Sequence, residues 1–242
     1  MCKAFSFVMT RGGKAYWKLG LDSHEDMKTE FKLDDSKLGN LCPCEISPKN
    51  GDYVEPDEWV FRFDEGKAPD WWRVSHEKAS WAAFKKWKKA LYSIMDVKAL
   101  KAIKHPFEGI VPPKTITVEH KRLLAECASV RDSVRDSVWN SVRDSVWNSV
   151  GDSVGDSVRD SVRASVWNSV GAQIGACMKL PRKAWKYAEK VKTKEYPFQC
   201  FVTLWNAGLV VSFDGTTWRL HGGKDAKVLY SATETELEAL RC

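Results

Sequence analysis

Residues 129–170 read SVRDSVRDSVWNSVRDSVWNSVGDSVGDSVRDSVRASVWNSV, ten consecutive Ser-Val-x-y units and a final Ser-Val, with Val at every fourth position from Val130 to Val170. No other feature constrains the fold as strongly, because a period of four matches neither regular structure. A strand repeats every second residue and an α-helix about every 3.6. On a helix the Val stripe drifts by about 40° per unit and circles the axis within about nine units. Ser, Val, Asp, Asn and Gly are also about 0.5–1 kcal/mol poorer helix formers than Ala. On a plain strand, Val would share a face with Arg, Trp and Gly. A solenoid meets both objections. Each unit then takes an equivalent side of a coil, Val points inward, and x-y forms a corner that suits Asp, Asn and Gly. Four units per coil give about three coils, stacked about 4.8 Å apart. A short β-solenoid is therefore the expected fold of the segment. A long α-helix or helix pair is the alternative, since helical patterns flank the run on both sides, and disorder is the third option.

Within the run, x is only Arg, Trp or Gly and y only Asp, Asn or Ala. The codons CGG, TGG and GGG are single-base neighbours, as are GAT, AAT and GCT. The variation reads as point changes in a tandemly copied DNA unit, and Trp is followed by Asn at all three occurrences. A position that accepts Arg, Trp and Gly alike is expected outside the core, and the invariant Ser-Val is expected to carry the structure. The run ends in GAQI and GACM, Gly171 to Met178, which keep the period but close it with larger side chains, as repeat arrays need.

The flanks are mixed. CKAFSFVMT and KAYWKLGL surround a Gly-Gly turn, a hairpin signal. Ser23 followed by acids starts a helix, and LCPCEISP and EWVFRFD are two further strands. Over 75–104 the clearest helix places Trp81, Phe84, Trp87, Leu91 and Ile94 on one face, with Ser75 as its cap. Three Pro and one Gly in KHPFEGIVPPKTIT mark a boundary near 105–117, and VEHKRLLAECA leads into the repeat as a helix. KLPRKAWKYAEKVKTK reads as a basic helix. A short helix ending near Gly208 follows, then a hairpin at Asp214-Gly215 and a third strand in AKVLYSA. The expectation is an α+β protein: an N-terminal α+β domain over 1–104, a linker and lead-in helix over 105–128, the repeat over 129–178, and a C-terminal helix and hairpin segment over 179–242.

MCKAFSF with GKAYWKLGLDSH and EISPKNGDY, the Ser-Val-x-y array, and YPFQCFVTLWNAGLVVSFDGTTWRLHGGKDAKVLY resemble segments of uncharacterised proteins encoded by bacteria and their phages. The resemblance covers both ends and the repeat. It implies a bacterial or phage-infected cytoplasm, and it brings no catalytic residues, since those proteins have no established activity.

Candidate chemistry is sparse. Cys2 would become N-terminal on removal of the initiator Met, and its amine could serve as base for its own thiol. Proteins that cross-link abasic DNA also begin Met-Cys, although the Lys-Ala-Phe that follows here departs from them. Cys42-Pro43-Cys44 lacks the second ligand pair of a structural zinc site, so two thiols in a strand or turn is the expectation and no metal is assigned. His24-Glu25 and His76-Glu77 follow Ser at helix starts, where the acid favours the helix dipole. Gly222-Gly223 reads as a hairpin turn rather than a phosphate cradle. The seven Cys are scattered, no secretory leader layout precedes them, and no apolar run is long enough to span a bilayer. A reduced cytoplasmic protein with free thiols and no cofactor is the expectation.

The basic helices are the remaining feature. Residues 67–104 hold ten Lys/Arg against three acids, and 179–195 hold seven against two. Lys85, Lys86, Lys88 and Lys89, with Arg182, Lys183 and Lys186, could meet phosphates, and Trp81, Trp87, Trp185 and Tyr187 could stack on bases. The twelve Trp are otherwise expected as core anchors. The expected role is a non-enzymatic interaction or scaffold protein that engages an acidic partner, either nucleic acid or an acidic protein. A Cys2-dependent enzyme or DNA cross-linker, and a structural phage assembly subunit, are the alternatives.

Overall fold

The computed structural model describes residues 5–21, 23–34, 39–142, 158, 166–185, 188 and 195–240. They form an α+β structure with seven helices and two small antiparallel sheets, in two units that meet in sequence at Met95–Asp96. None of the described helices is long and apolar enough to cross a membrane.

The first unit holds a sheet of order β2-β1-β3-β4, from β1 (Phe5–Thr10), β2 (Ala15–Tyr16), β3 (Leu41–Pro48) and β4 (Trp59–Phe63). The Gly-Gly turn closes the β1–β2 hairpin as expected, with Gly13 at φ 82°, a left-handed conformation that suits glycine. Helix α1 (His24–Glu30) is capped by Ser23, whose side chain accepts from the Asp26 N–H.

Helix α2 (Val74–Ile94) buries Phe84, Trp87 and Leu91 and leaves Trp81 and Ile94 half-buried. Phe5 stands 5.1 Å from Trp87 and 5.7 Å from Phe84, and Trp59 stands 4.7 Å from Phe84, ring centre to ring centre. Burying each such ring contributes about 1.5–3 kcal/mol, so the aromatic stripe fixes the helix on the sheet. Its start departs from expectation. Ser75 does not cap; the helix begins at Val74, and the His76 ring accepts from the Arg73 N–H at 3.0 Å. A histidine three residues into the helix does what Glu or Gln does in a capping box. The helix also stops earlier than 104, because Asp96 caps a new helix by accepting from the Ala99 N–H at 2.9 Å.

The second unit comprises α3 (Val97–Lys101), α4 (Val118–Val142), α5 (Trp167–Ala176), a single 3₁₀ turn (Arg182–Ala184), α6 (Gln199–Asn206) and α7 (Glu234–Glu238), with a sheet of order β5-β6-β7. Its strands are β5 (Leu209–Phe213), β6 (Thr217–Gly222) and β7 (Lys227–Thr233). Helix α6 ends before Gly208 at φ 73°, the β5–β6 hairpin turns at Asp214-Gly215, and AKVLYSA adds the third strand, all as expected.

The repeat departs from the solenoid at both of its described ends. Residues 129–142 continue α4, and 167–176 form α5. Residues 143–157 and 159–165 lie outside the described residues. Val130, Val134, Val138, Val158, Val166 and Val170 are all buried, so Val does carry the core, on helices rather than coils. Ser169 Oγ donates to the Val211 carbonyl at 3.1 Å and ties α5 to β5. Asn168 Nδ2 reaches the Arg131 carbonyl at 3.4 Å, and a Cβ placed on Gly175 would stand 3.2 Å from Val138. The two contacts climb together, 131 with 168 and 138 with 175, so α4 and α5 run in the same direction. The x positions are not uniformly outside the core either. The Arg131 guanidinium lies 4.7 Å from the Phe213 ring centre, and Gly175 is buried. The expected basic helix over 179–194 is absent from its described part. After Pro181 there is one 3₁₀ turn, and Trp185 leaves it extended to pack against Tyr196 at 5.3 Å and Phe198 at 6.4 Å. Burying that ring outweighs continuing the helix.

Candidate functional site

The solvent face of α2 follows from its buried face. With Phe84, Trp87 and Leu91 turned to the sheet, the residues about half a turn away must meet water. Val74, Lys78, Trp81, Lys85 and Lys89 fall at steps of three and four along that side. From Lys78 to Lys89 the row is about 16 Å long, at about 1.5 Å per residue. Lys78, Lys85, Lys86 and Lys89 are exposed, and among the described residues none of them sits in an ion pair. The helix carries five lysines against one glutamate. A shallow groove of about 450 Å³ runs along it, lined by Val74, Glu77, Lys78, Trp81, Ala82 and Lys85. Val74 is 69% exposed, which leaves an apolar patch at the head of the row.

Lys88 differs from its neighbours. It is half-buried, and its ammonium lies 5.2 Å from the Trp59 ring centre and 5.9 Å from those of Phe84 and Tyr92, within cation–π reach. It seals the edge of the aromatic core. Lys78, which sequence reasoning did not select, takes its place in the row.

The other predicted residues are not gathered into one site. Arg182 donates through Nη2 to the Ala188 carbonyl, Lys183 is exposed, and Lys186 lies outside the described residues, as does Tyr187. Trp185 and Trp87 are buried and offer no ring for stacking. Cys2 also lies outside the described residues. The Cys42-Pro43-Cys44 thiols are on a strand, as expected, and no group of three or more His, Cys, Asp or Glu among the described residues is arranged to hold a metal. Gly222-Gly223 closes β6 into the turn before β7, with Gly223 at φ 78°.

One constellation had no sequence signal. Ser212 and His221, nine residues apart on neighbouring strands, form a hydrogen bond at 2.8 Å, and His221 Nδ1 donates to the Ala226 carbonyl at 3.0 Å. Burial holds this imidazole below its ordinary range, so it is neutral and Nε2 accepts from the serine hydroxyl. The connectivity is that of an activated serine. Ser212 is 1% exposed and His221 5%, however, so no substrate reaches the hydroxyl. The pair bridges β5 and β6, whose register is continuous, at the point where the β6–β7 pairing shifts between Leu220 and His221.

No protein-family model, no curated protein and no solved structure matches the chain.

Proposed function

We propose that the protein is a non-enzymatic binding protein for a polyanion, with nucleic acid as the partner class. Lys78, Lys85, Lys86 and Lys89 meet the phosphates and Trp81 offers its ring to a base. The observation that carries this reading is the row of exposed lysines, without ion pairs among the described residues, around a half-buried tryptophan on a helix whose opposite face is fixed by aromatic packing. A surface kept charged only for solubility mixes both signs evenly; this one sets five lysines against Glu77 alone. Each lysine that neutralises a phosphate releases a counterion, and a stacked base adds about 1–3 kcal/mol, so a short row supports modest, sequence-tolerant binding. The bacterial or phage-infected cytoplasm implied by the resemblance is the setting in which we place it.

The test is fluorescence anisotropy of a labelled single-stranded oligonucleotide with the full chain across a salt series. Four phosphate contacts give a slope of log K against log salt near −3, at about 0.7 per contact. Lys78/Lys85/Lys86/Lys89→Ala should flatten that slope, and Trp81→Ala should weaken binding with the slope unchanged. Salt-independent binding, or a fourfold variant indistinguishable from the parent, overturns the proposal.

A further inference from the structure

Two cysteines of β3 do something the strand does not require. Cys42 and Cys44 stand at i and i+2, so both side chains leave the same face of the strand. Their sulfurs are 3.7 Å apart. Between them sits Pro43, opposite Val8 of β1 and one residue past the β3–β4 register, which ends at Cys44 and Phe63. Its carbonyl accepts from the Asp64 N–H at 3.1 Å, and its missing N–H falls where the β4 ladder has ended, an edge position that tolerates proline. Next to it opens a cavity of about 340 Å³, whose wall includes Cys42, Pro43, Phe63, Lys28, Glu65 and Lys67. Cys42, 6% exposed, is on that wall; Cys44, 0% exposed, is behind it.

The two thiols are electrically unlike. The two sulfurs are in hydrogen-bond contact, with Cys44 Sγ also 3.4 Å from the Cys42 carbonyl, and the contact between the thiols holds Cys42 below the ordinary thiol range. The same contact, with burial, pushes Cys44 far up. His24 steadies the strand beneath them: Nε2 donates to the Cys44 carbonyl at 3.2 Å while Nδ1 faces Asp64 at 3.4 Å. A wall-side sulfur that favours the thiolate, backed by a buried sulfur that stays protonated, is the asymmetry of an attacking and a resolving cysteine.

We propose that Cys42 and Cys44 form a dithiol–disulfide exchange site that accepts a small organic disulfide in the adjoining cavity. The Cys42 thiolate attacks one sulfur of R–S–S–R. The S–S bond breaks, Cys42–S–S–R forms, and RS⁻ departs and takes the proton of Cys44. The Cys44 thiolate then attacks the Cys42 sulfur, the second RS⁻ leaves and is protonated from solvent, and the Cys42–Cys44 disulfide remains. Two protein thiols are oxidised and one small disulfide is reduced to two thiols. Strand neighbours at i and i+2 stand about 6.6–6.8 Å apart, at the upper limit for a disulfide, so the bond is strained and easily reduced again. The site thereby runs in both directions, and it is independent of the α2 face.

The experiment uses the reduced full chain and hydroxyethyl disulfide as probe, followed by alkylation, proteolysis and mass spectrometry. The expected product is a Cys42–Cys44 peptide lighter by two hydrogens and closed to alkylation, while fully buried Cys127 stays reduced. Cys44→Ser should trap the probe on Cys42 as a lasting mixed disulfide; Cys44→Ala does the same should the serine variant not fold. In Cys42→Ser, Cys44 should react at least about tenfold more slowly than Cys42 does in the parent, because it is buried and protonated. A parent chain that keeps both thiols, one that stops at the mixed disulfide, or a Cys42→Ser chain that reacts at Cys44 as fast as the parent does at Cys42, overturns the proposal.

Discussion

Gly175→Ala is the substitution on which the helical reading of the repeat's end depends most directly. Inside an exposed helix, replacing Gly by Ala stabilises by about 1 kcal/mol. Gly175 is buried in the last turn of α5, and there the sign reverses. The added Cβ overlaps Tyr196 Oη and comes within 3.2 Å of both Trp185 and Val138. The tyrosine cannot yield freely, because its hydroxyl donates to the Ala172 carbonyl at 2.7 Å and its ring is held by Trp185 and Phe198. If Tyr196 stays, overpacking costs about 1–3 kcal/mol. If it swings away, a buried hydroxyl loses its partner at a cost of about 1–3 kcal/mol. Offsetting the propensity gain of about 1 kcal/mol leaves a net loss of about 1 kcal/mol, at most about 2, by either route. Urea unfolding followed by tryptophan fluorescence and far-UV circular dichroism reads this as a lower midpoint at unchanged slope. Tyr196→Phe removes the overlapping atom, so Gly175→Ala should cost less in that background than alone. Gly175→Ala at or above parent stability refutes the close approach and returns Gly175 to the exposed corner that a solenoid would give it.

Two further perturbations test the same unit. Val134→Ala removes two methyls from a fully buried repeat position and should cost about 2 kcal/mol, transfer plus residual cavity, in the same unfolding assay; a loss under about 0.5 kcal/mol would take the Val stripe out of the core. Asp214 accepts from the N–H groups of Thr216 and Thr217 and pairs with Arg219, which together hold its carboxyl well below the usual carboxylate range. A depressed folded-state pKa stabilises fully above the unfolded value of 3.8 and is lost as pH falls toward the folded one. Asp214→Asn should therefore shrink the acid-side loss of stability below about pH 4 and leave the shape of the neutral-pH profile unchanged; an identical acid limb shows that the turn is not the group responsible.

What could be read from the sequence was local. The Gly-Gly and Asp-Gly turns, Ser23 as a cap, Gly208 as a stop and the aromatic stripe of α2 each depend on residues within a few positions of one another, where a short window carries the physics. What escaped was decided by partners distant in sequence. Lys88 leaves the basic face because Trp59 is beneath it. Trp185 leaves its expected helix because Tyr196 and Phe198 offer a packing site. Ser212 finds His221 only once β5 and β6 are paired. Helix α7 is the exception: it was not expected from the sequence, although Thr233-x-x-Glu236 has the spacing of a capping box and makes both hydrogen bonds. The candidate site was half legible, since lysine density pointed to α2 and Trp81 was among the stacking candidates, while Lys78 joined the row, and Trp87 and Lys88 left it, only when the buried face was known.

The period of four excludes a long helix but not a short one. A drift of about 40° per unit carries a Val stripe about 80° around the axis over three units, still inside the apolar arc of about 100° that a packed helix buries. Helix α4 has Val130, Val134 and Val138 buried in three consecutive units. Around α5 the buried series is Val166, Val170, Ile174 and Met178, with the first and last just outside the helix ends, where the drift no longer has to be absorbed. The propensity penalty that argued against a helix is a sum of small local terms, and tertiary burial of the Val face exceeds it. Equivalent sites, which the strict repeat suggested, are therefore not what the fold provides. Arg131 stacks on Phe213, while Gly175, at the same place in its unit, must leave room for Tyr196. The glycines that read as drift within a copied unit and the one that the packing demands are the same residue at the same place in the unit; only their neighbours in space tell them apart.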